Sequence, residues 1–355
     1  MAGTGWPGVI ARFRDRLDLP GKMSPVTLNE GGTPLIEAPR LAAALGGGFR
    51  LFLKYEGLNP TGSFKDRGMT AAMTVAAHNG ARAVICASTG NTAASAAAYA
   101  ARAGMTCVVL IPDGKIALGK LAGAVAYGAR VVAIRGSFDD GLRMVREAAA
   151  RAPIVLVNSV NPARLQGQKT ASFEIVDDLG GPPDWLALPV GNAGNITAYW
   201  MGFLEEMGAG RALSAPRVLG AQAAGSAPIL NRAPVEAPET LATAIRIGQP
   251  ARWCEALIAL RQSCGQLWRV EDSEILEAYR MLARLEGVFC EPSSAAGVAG
   301  LKKSLAHGKL DLDGKTVVAV LTGHGLKDPD NALRDAPAPE TMDPDTDALL
   351  LRLGL

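Results

Sequence analysis

From Arg50 onward one pattern repeats along the chain: an apolar run of four to six residues, a turn of Gly, Ser or Asn, then a stretch of helical composition. Short apolar runs need cover on both faces, and strands separated by helices join in parallel. The pattern predicts an α/β fold of mainly parallel sheets covered by helices. Expected strands are Arg50 to Tyr55, Ala83 to Ala87, Thr106 to Ile111, Arg130 to Ile134, Ile154 to Val157, Trp185 to Pro189, Arg217 to Ala221, Gly265 to Val270 and Thr316 to Leu321. Expected helices are Phe64 to His78, Thr92 to Arg102, Ala117 to Tyr127, Phe138 to Arg151, Gln166 to Leu179, Ile196 to Met207, Ser273 to Glu286 and Ser293 to His307.

A length of 355 residues suits two domains. The expected division is an N-terminal segment over 1–49 packing on the core, a smaller α/β domain over 50–157, a larger one over 158–335 and a tail over 336–355. The turn-rich Ser159 to Arg164 separates the two groups of units, and the tail from Ala336 to Asp347, with its prolines, reads as an extended arm. Two uncharged stretches, Ala83 to Ala101 and Trp185 to Leu204, reach membrane-span length, but polar and glycine residues interrupt both. Each fits a strand that ends in a loop and feeds a helix, so no membrane partner is expected.

Composition narrows the function classes. A net charge of +2 without long blocks of one sign gives no footprint for nucleic acid. The five cysteines, Cys86, Cys107, Cys254, Cys264 and Cys290, form no C-x-x-C pair, which argues against thiolate zinc and disulfide lattices and fits a reducing, cytoplasmic compartment. His78, His307 and His324 do not stand four apart, so no metal is expected. Arg12, Arg14, Asp15, Arg16 and Asp18 interrupt the first twenty residues where a secretory signal would be apolar.

Chemistry concentrates at the strand ends. Asn59-Pro60-Thr61-Gly62-Ser63-Phe64-Lys65-Asp66-Arg67-Gly68 follows an expected strand and opens a helix, with Ser63 in the capping position. An ammonium at Lys65 would sit by the positive end of the helix, which lowers its pKa and suits a nucleophilic amine. The same ten residues also suit a capped helix with an exposed lysine. Ala87-Ser88-Thr89-Gly90-Asn91-Thr92 is a hydroxyl-rich turn able to hold a carboxylate, or an ordinary cap. Gly191-Asn192-Ala193-Gly194-Asn195 lets backbone N–H groups close around a phosphate, yet it is neither a Walker A loop nor a dinucleotide fingerprint. Thr322-Gly323-His324-Gly325 puts a hydroxyl at the carboxyl end of a buried strand. A reactive lysine, a phosphate cradle and polar strand ends together describe a site for a phosphorylated aldehyde cofactor, and pyridoxal 5'-phosphate meets that description.

The order and spacing of NPTGSFKDRG, STGNTAAS, GNAGN, EPSSAAG and LTGHG resemble the fold type II pyridoxal-phosphate enzymes, with the architecture of the tryptophan synthase β-subunit, and among them the threonine synthases. The resemblance runs from about Gly31 to about Asp328. Cysteine synthases typically carry a T-S-G-N-T-G turn and threonine dehydratases an S-A-G-N-H type turn where this chain has Ser88 to Ser95, which favours threonine synthase. So does Asn158 to Thr170, similar to the stretch that the family places beside the substrate phosphate.

The resemblance implies a homodimer that converts O-phospho-L-homoserine and water into L-threonine and phosphate. It implies that Lys65 bonds covalently to the cofactor and is the catalytic residue, that Asn91 meets the phenolic oxygen, that Gly191, Asn192, Ala193, Gly194 and Asn195 bind the phosphate, and that Thr322 faces the pyridine nitrogen. Ser88, Thr89 and Thr92 would hold the substrate carboxylate, and Ser159, Arg164 and Asn192 its phosphate. Glu291 reads as a wall residue capping a helix. The rival expectations are a serine or threonine dehydratase, another β-eliminating enzyme on the same cofactor, or a non-catalytic paralogue that binds phosphorylated ligands.

Overall fold

The computed structural model describes residues 5–113, 118–136, 138–334 and 338–355. Of the expectations above, Met1 to Thr4 of the N-terminal segment, Ala117 at a helix start and Ala336 in the tail lie outside them. The strands are β1 Leu35–Glu37, β2 Arg50–Tyr55, β3 Ala83–Ala87, β4 Thr106–Pro112, β5 Arg130–Ile134, β6 Val155–Leu156, β7 Trp185–Pro189, β8 Arg217–Ala223, β9 Gln266–Val270 and β10 Thr316–Leu321. They form a six-stranded sheet in the order β1-β2-β10-β7-β8-β9 and a four-stranded sheet in the order β5-β4-β3-β6. Every pairing is parallel except that of β1 with β2.

Alternation along β10 shows why the larger sheet needs helices on both sides. Val317, Ala319 and Leu321 enter one apolar cluster with the helices Asp272–Glu286 and Pro292–Ala306, while Val318 and Val320 enter another with Thr170–Leu179 and Gly194–Gly208. Successive side chains point to opposite faces, so a strand apolar throughout is buried twice. The smaller sheet packs the helices Lys65–His78 and Asn91–Arg102 on one face, and on the other Leu142, Val145 and Ala148 of the helix Phe138–Arg151. Ala83 to Ala101 resolves into β3, a turn and a helix, and among the described residues no helix is long and apolar enough to cross a membrane.

Several elements depart from expectation. β2, expected to open the smaller domain, hydrogen-bonds to β1 and β10 in the larger sheet, because pairing partners far along the chain decide which sheet a strand joins. The single helix expected over Gln166 to Leu179 is two, Pro162–Gln168 and Thr170–Leu179. Asn161 caps the first by accepting from the Ala163 N–H at 3.0 Å, and Thr170 Oγ1 donates back to the Gly167 carbonyl at 2.6 Å at the join. Helices Trp253–Gln262 and Thr346–Leu353 were not expected, the second within the tail, whose residues 338–355 are all exposed. Val9, Ile10 and Phe13 of the N-terminal segment pack on Phe173 of the core.

The two sheets meet where the helix beginning at Lys65 crosses the helix Pro162–Gln168. A Cβ on Gly167 would stand 1.7 Å from the Arg67 carbonyl oxygen, and one on Gly68 would stand 3.0 Å from that of Arg164. Backbone therefore lies on backbone, and only glycine fits either side. Buried beside this crossing, Arg67 donates to both Glu56 oxygens at 2.6 and 2.8 Å and to both Glu174 oxygens at 2.5 and 2.7 Å. Lys54 adds an ion pair to Glu174 at 2.9 Å.

Burial pushes the Glu174 carboxyl up, but the charges of Arg67 and Lys54 outweigh that and hold its pKa at about 2. A native state that binds this proton more weakly than the unfolded chain loses stability as pH falls from the ordinary carboxylate value, about 4.3, toward 2. Glu174→Gln should therefore destabilise the protein by about 3 kcal/mol at neutral pH, with the gap closing below about pH 4.3. Urea unfolding across that range checks this, and a pH-independent gap would remove the carboxylate's charge from the account.

Candidate active site

The loop between β2 and the helix Lys65–His78 is stitched to the end of β10. Phe64 donates its N–H to the Thr322 carbonyl at 3.0 Å, His324 donates to the Gly62 carbonyl at 2.9 Å, and Ser63 bridges Gly323. Gly62 has φ +83°, the left-handed conformation that the turn requires. Ser63 does not cap the helix as expected: Phe64 occupies that position and the Ser63 hydroxyl is buried without a hydrogen bond. Asp66, in the first turn, fastens the loop instead, accepting from the Thr61 N–H, the Thr61 hydroxyl and the Ser95 hydroxyl, each at 2.6 Å. Burial raises the Asp66 pKa to about 6 against the lowering by these hydrogen bonds.

Lys65, the first residue of the helix, is half-buried, with Nζ 4.2 Å from the centre of the Phe64 ring. Its pKa falls to about 7, first through burial and then through the charge of Arg164, with Glu291 opposing. The lowering expected from the helix terminus thus has a different main origin.

Glu291, read from sequence as wall, stands between two of the expected cofactor contacts. Asn91 Nδ2 donates to one of its carboxylate oxygens at 3.0 Å and Thr322 Oγ1 to the other at 3.1 Å. Ser294 shares a hydrogen bond of 2.8 Å with the Thr322 hydroxyl. A Cβ on Gly323 would stand 2.7 Å from the Glu291 carboxyl carbon, so this glycine makes room for the acid. The legible signal is a carboxylate followed by Pro292 at the first position of a helix. Ser88, Thr89 and Thr92 lie half-buried at the carboxyl end of β3, around the start of the helix Asn91–Arg102.

Across the site, Gly191 to Asn195 leads from β7 into the helix Gly194–Gly208. A Cβ on Gly191 would come within 2.9 Å of the Ile245 Cα, and Ala193 adopts φ 61°, a conformation rare for a residue with a side chain. Asn195 Nδ2 is buried without a partner. Asn192 turns its side chain toward Ser159, donating to that hydroxyl at 2.5 Å. Arg164 is buried, donates Nη1 to the Val157 carbonyl at 3.2 Å, and leaves Nε and Nη2 unpartnered. The structure thus brings Lys65, Asn91, Thr322 and the glycine turn to the carboxyl ends of β2, β3, β7 and β10.

A buried donor without an acceptor costs about 1–3 kcal/mol, more when charged. The unpartnered groups at Arg164 and Asn195 and the N–H groups opening the helix at Gly194 therefore fit anions, and an amine of pKa about 7 fits an aldehyde. These residues suit pyridoxal phosphate together with a second, substrate-borne anion.

The family model described as pyridoxal-phosphate dependent enzyme matches residues 26–323. Threonine synthase of Mycobacterium leprae is 59% identical over 351 residues, covering 99% of this chain and 97% of that protein. Threonine synthase of a Synechocystis species is 59% identical over 331 residues, covering 93% and 86%. Among solved structures, a cysteine synthase from Entamoeba histolytica has a TM-score of 0.74 at 19% identity over 88% of this chain and 90% of that one. The serine racemase of maize has a TM-score of 0.71 at 19% identity over 97% and 94%. These two likenesses speak for the fold alone. The chain belongs to the pyridoxal-phosphate dependent enzymes and, within them, to the threonine synthases.

Proposed function

We propose that the cleft at the carboxyl ends of β2, β3, β7 and β10 is where O-phospho-L-homoserine and water become L-threonine and inorganic phosphate. The observation that carries this reading is the pairing of Lys65, whose pKa is about 7, with Arg164, a buried guanidinium holding two unshared donor nitrogens. Pyridoxal phosphate, when bound, supplies an aldehyde that takes up amines and a ring that accepts the electrons released at Cα. Gly191 to Asn195 would hold its phosphate, Asn91 its phenolic oxygen, and Thr322 would turn its hydroxyl from Glu291 toward the pyridine nitrogen. Lys65, in comparable amounts charged and free near neutral pH, takes a proton from the substrate's Cα and returns one. Ser88, Thr89 and Thr92 orient the substrate by its carboxylate. Arg164, with Ser159 and Asn192, grips the departing phosphate, where a guanidinium fork matches two oxygens.

The reading assigns the substrate carboxylate to a smaller domain and the cofactor phosphate to a larger one. It includes a homodimer working in the cytoplasm, and a sedimentation-equilibrium mass near 36.8 kDa rather than about twice that would count against the dimer.

Purified enzyme given O-phospho-L-homoserine should release threonine and phosphate in equal amounts, and a keto acid in place of threonine would overturn the reading. Arg164→Ala should lose about 30-fold to several thousandfold in kcat/KM for this substrate, the equivalent of about 2–5 kcal/mol. Its binding of a non-phosphorylated amino acid, followed by the cofactor's absorbance, should change little, whereas equal losses for both would take Arg164 out of the phosphate pocket.

Lys65 should titrate far below an ordinary lysine. After reductive methylation of the cofactor-free protein with carbon-13 formaldehyde, its NMR signal should shift with a midpoint near pH 7, charged below and neutral above. A midpoint near 10 would show an exposed, unperturbed amine.

A further inference from the structure

The segment Pro250 to Arg252 runs along the outer side of the phosphate pocket. Ala251 donates its N–H to Asn192 Oδ1 at 2.5 Å, and Arg252 donates Nε to the Ser159 carbonyl at 3.3 Å. Those are two of the three residues assigned above to the substrate's phosphate, so the second guanidinium is joined to the same pocket as Arg164. The Arg252 side chain is only 14% exposed, and its Nη1 pairs with Glu255 at 3.0 Å, a residue of the first turn of the helix Trp253–Gln262 that is itself 41% exposed. These two bonds engage Nε and Nη1 and leave Nη2 outside them.

We propose that Arg252 is a second phosphate-binding cation of this enzyme, which Glu255 holds beside Ser159 and from which a phosphate monoester dianion draws it across the mouth of the pocket. The inference rests on the reading of Ser159, Asn192 and Arg164 as the pocket for the substrate's phosphate. A carboxylate has two oxygens, and the turn at Ser88 to Thr92 already provides for one. Two guanidiniums, a hydroxyl and an amide offer more donors than a carboxylate accepts, whereas a phosphate monoester carries two charges on three terminal oxygens. Burial lowers the Arg164 pKa to about 10, with the charge of Arg252 adding to the lowering, so an anion placed between the two cations relieves both. Glu255 competes for Arg252 in the meantime. The inner arginine closes the pocket from within and the outer one captures.

The test uses the holoenzyme, where the cofactor occupies its own cradle, and inorganic phosphate as the probe. Phosphate affinity is read by phosphorus-31 NMR titration, which needs no turnover, and KM for O-phospho-L-homoserine by steady-state kinetics. Arg252→Gln should raise both the phosphate dissociation constant and KM roughly tenfold, with the loss falling mainly on KM and a shallower dependence on ionic strength. Glu255→Gln should move both constants the opposite way, because it removes the competing carboxylate. Phosphate affinity within twofold of wild type in Arg252→Gln overturns the proposal, as does Glu255→Gln weakening phosphate binding as Arg252→Gln does. Failure of the wild type to form threonine would sink the underlying reading instead, and the titration would still decide whether Arg252 binds phosphate.

Discussion

The grip of Arg67 on Glu56 and Glu174 is the interaction on which the placement of the site depends. Glu56 follows a strand of the larger sheet, Glu174 sits on a helix covering that sheet, and Arg67 lies two residues beyond Lys65. Three separately built pieces are thereby fixed with respect to the Lys65 amine. Removing one member of such a buried set costs about 3–5 kcal/mol, because the partner's charge stays behind without compensation. The glycine crossing completes the arrangement: with no side chain on Gly68 or Gly167, the helix that carries Arg164 packs backbone to backbone against the one that carries Lys65.

The protein therefore treats its buried cations in two ways. Arg67 and Lys54 are matched by carboxylates and serve the fold. Arg164 feels the charge of Lys65 and Arg252 and keeps two nitrogens unshared, and its proposed role is in the chemistry. What separates them is the supply of counter-charge rather than depth.

Much of this was legible in the sequence where one stretch of chain determines the outcome. Val317 to Leu321 is apolar at every position, which is enough to mark a strand covered twice, and its observed limits match. The glycine turn and the loop at Lys65 were legible because small residues and an isolated lysine follow strands. Partnerships across the chain were not. Glu56 and Glu174 stand 11 and 107 residues from Arg67, and no local periodicity records that they share it. For the same reason β2 pairs in the larger sheet against expectation, and the capping position expected of Ser63 belongs to Phe64, while Asp66 fastens the loop. β1, with three residues, is too short to show alternation, and Thr170 hides the break in its helix by an internal hydrogen bond.

Ala193 bears on how the glycine turn works. Its left-handed backbone is one that a glycine would adopt more cheaply once folded, yet a glycine would also wander more widely beforehand. Alanine costs the fold on the order of 1 kcal/mol and narrows the turn's freedom. A stiff turn needs little further ordering to meet a ligand, so the shape that Gly191 to Asn195 present is largely settled when the chain folds.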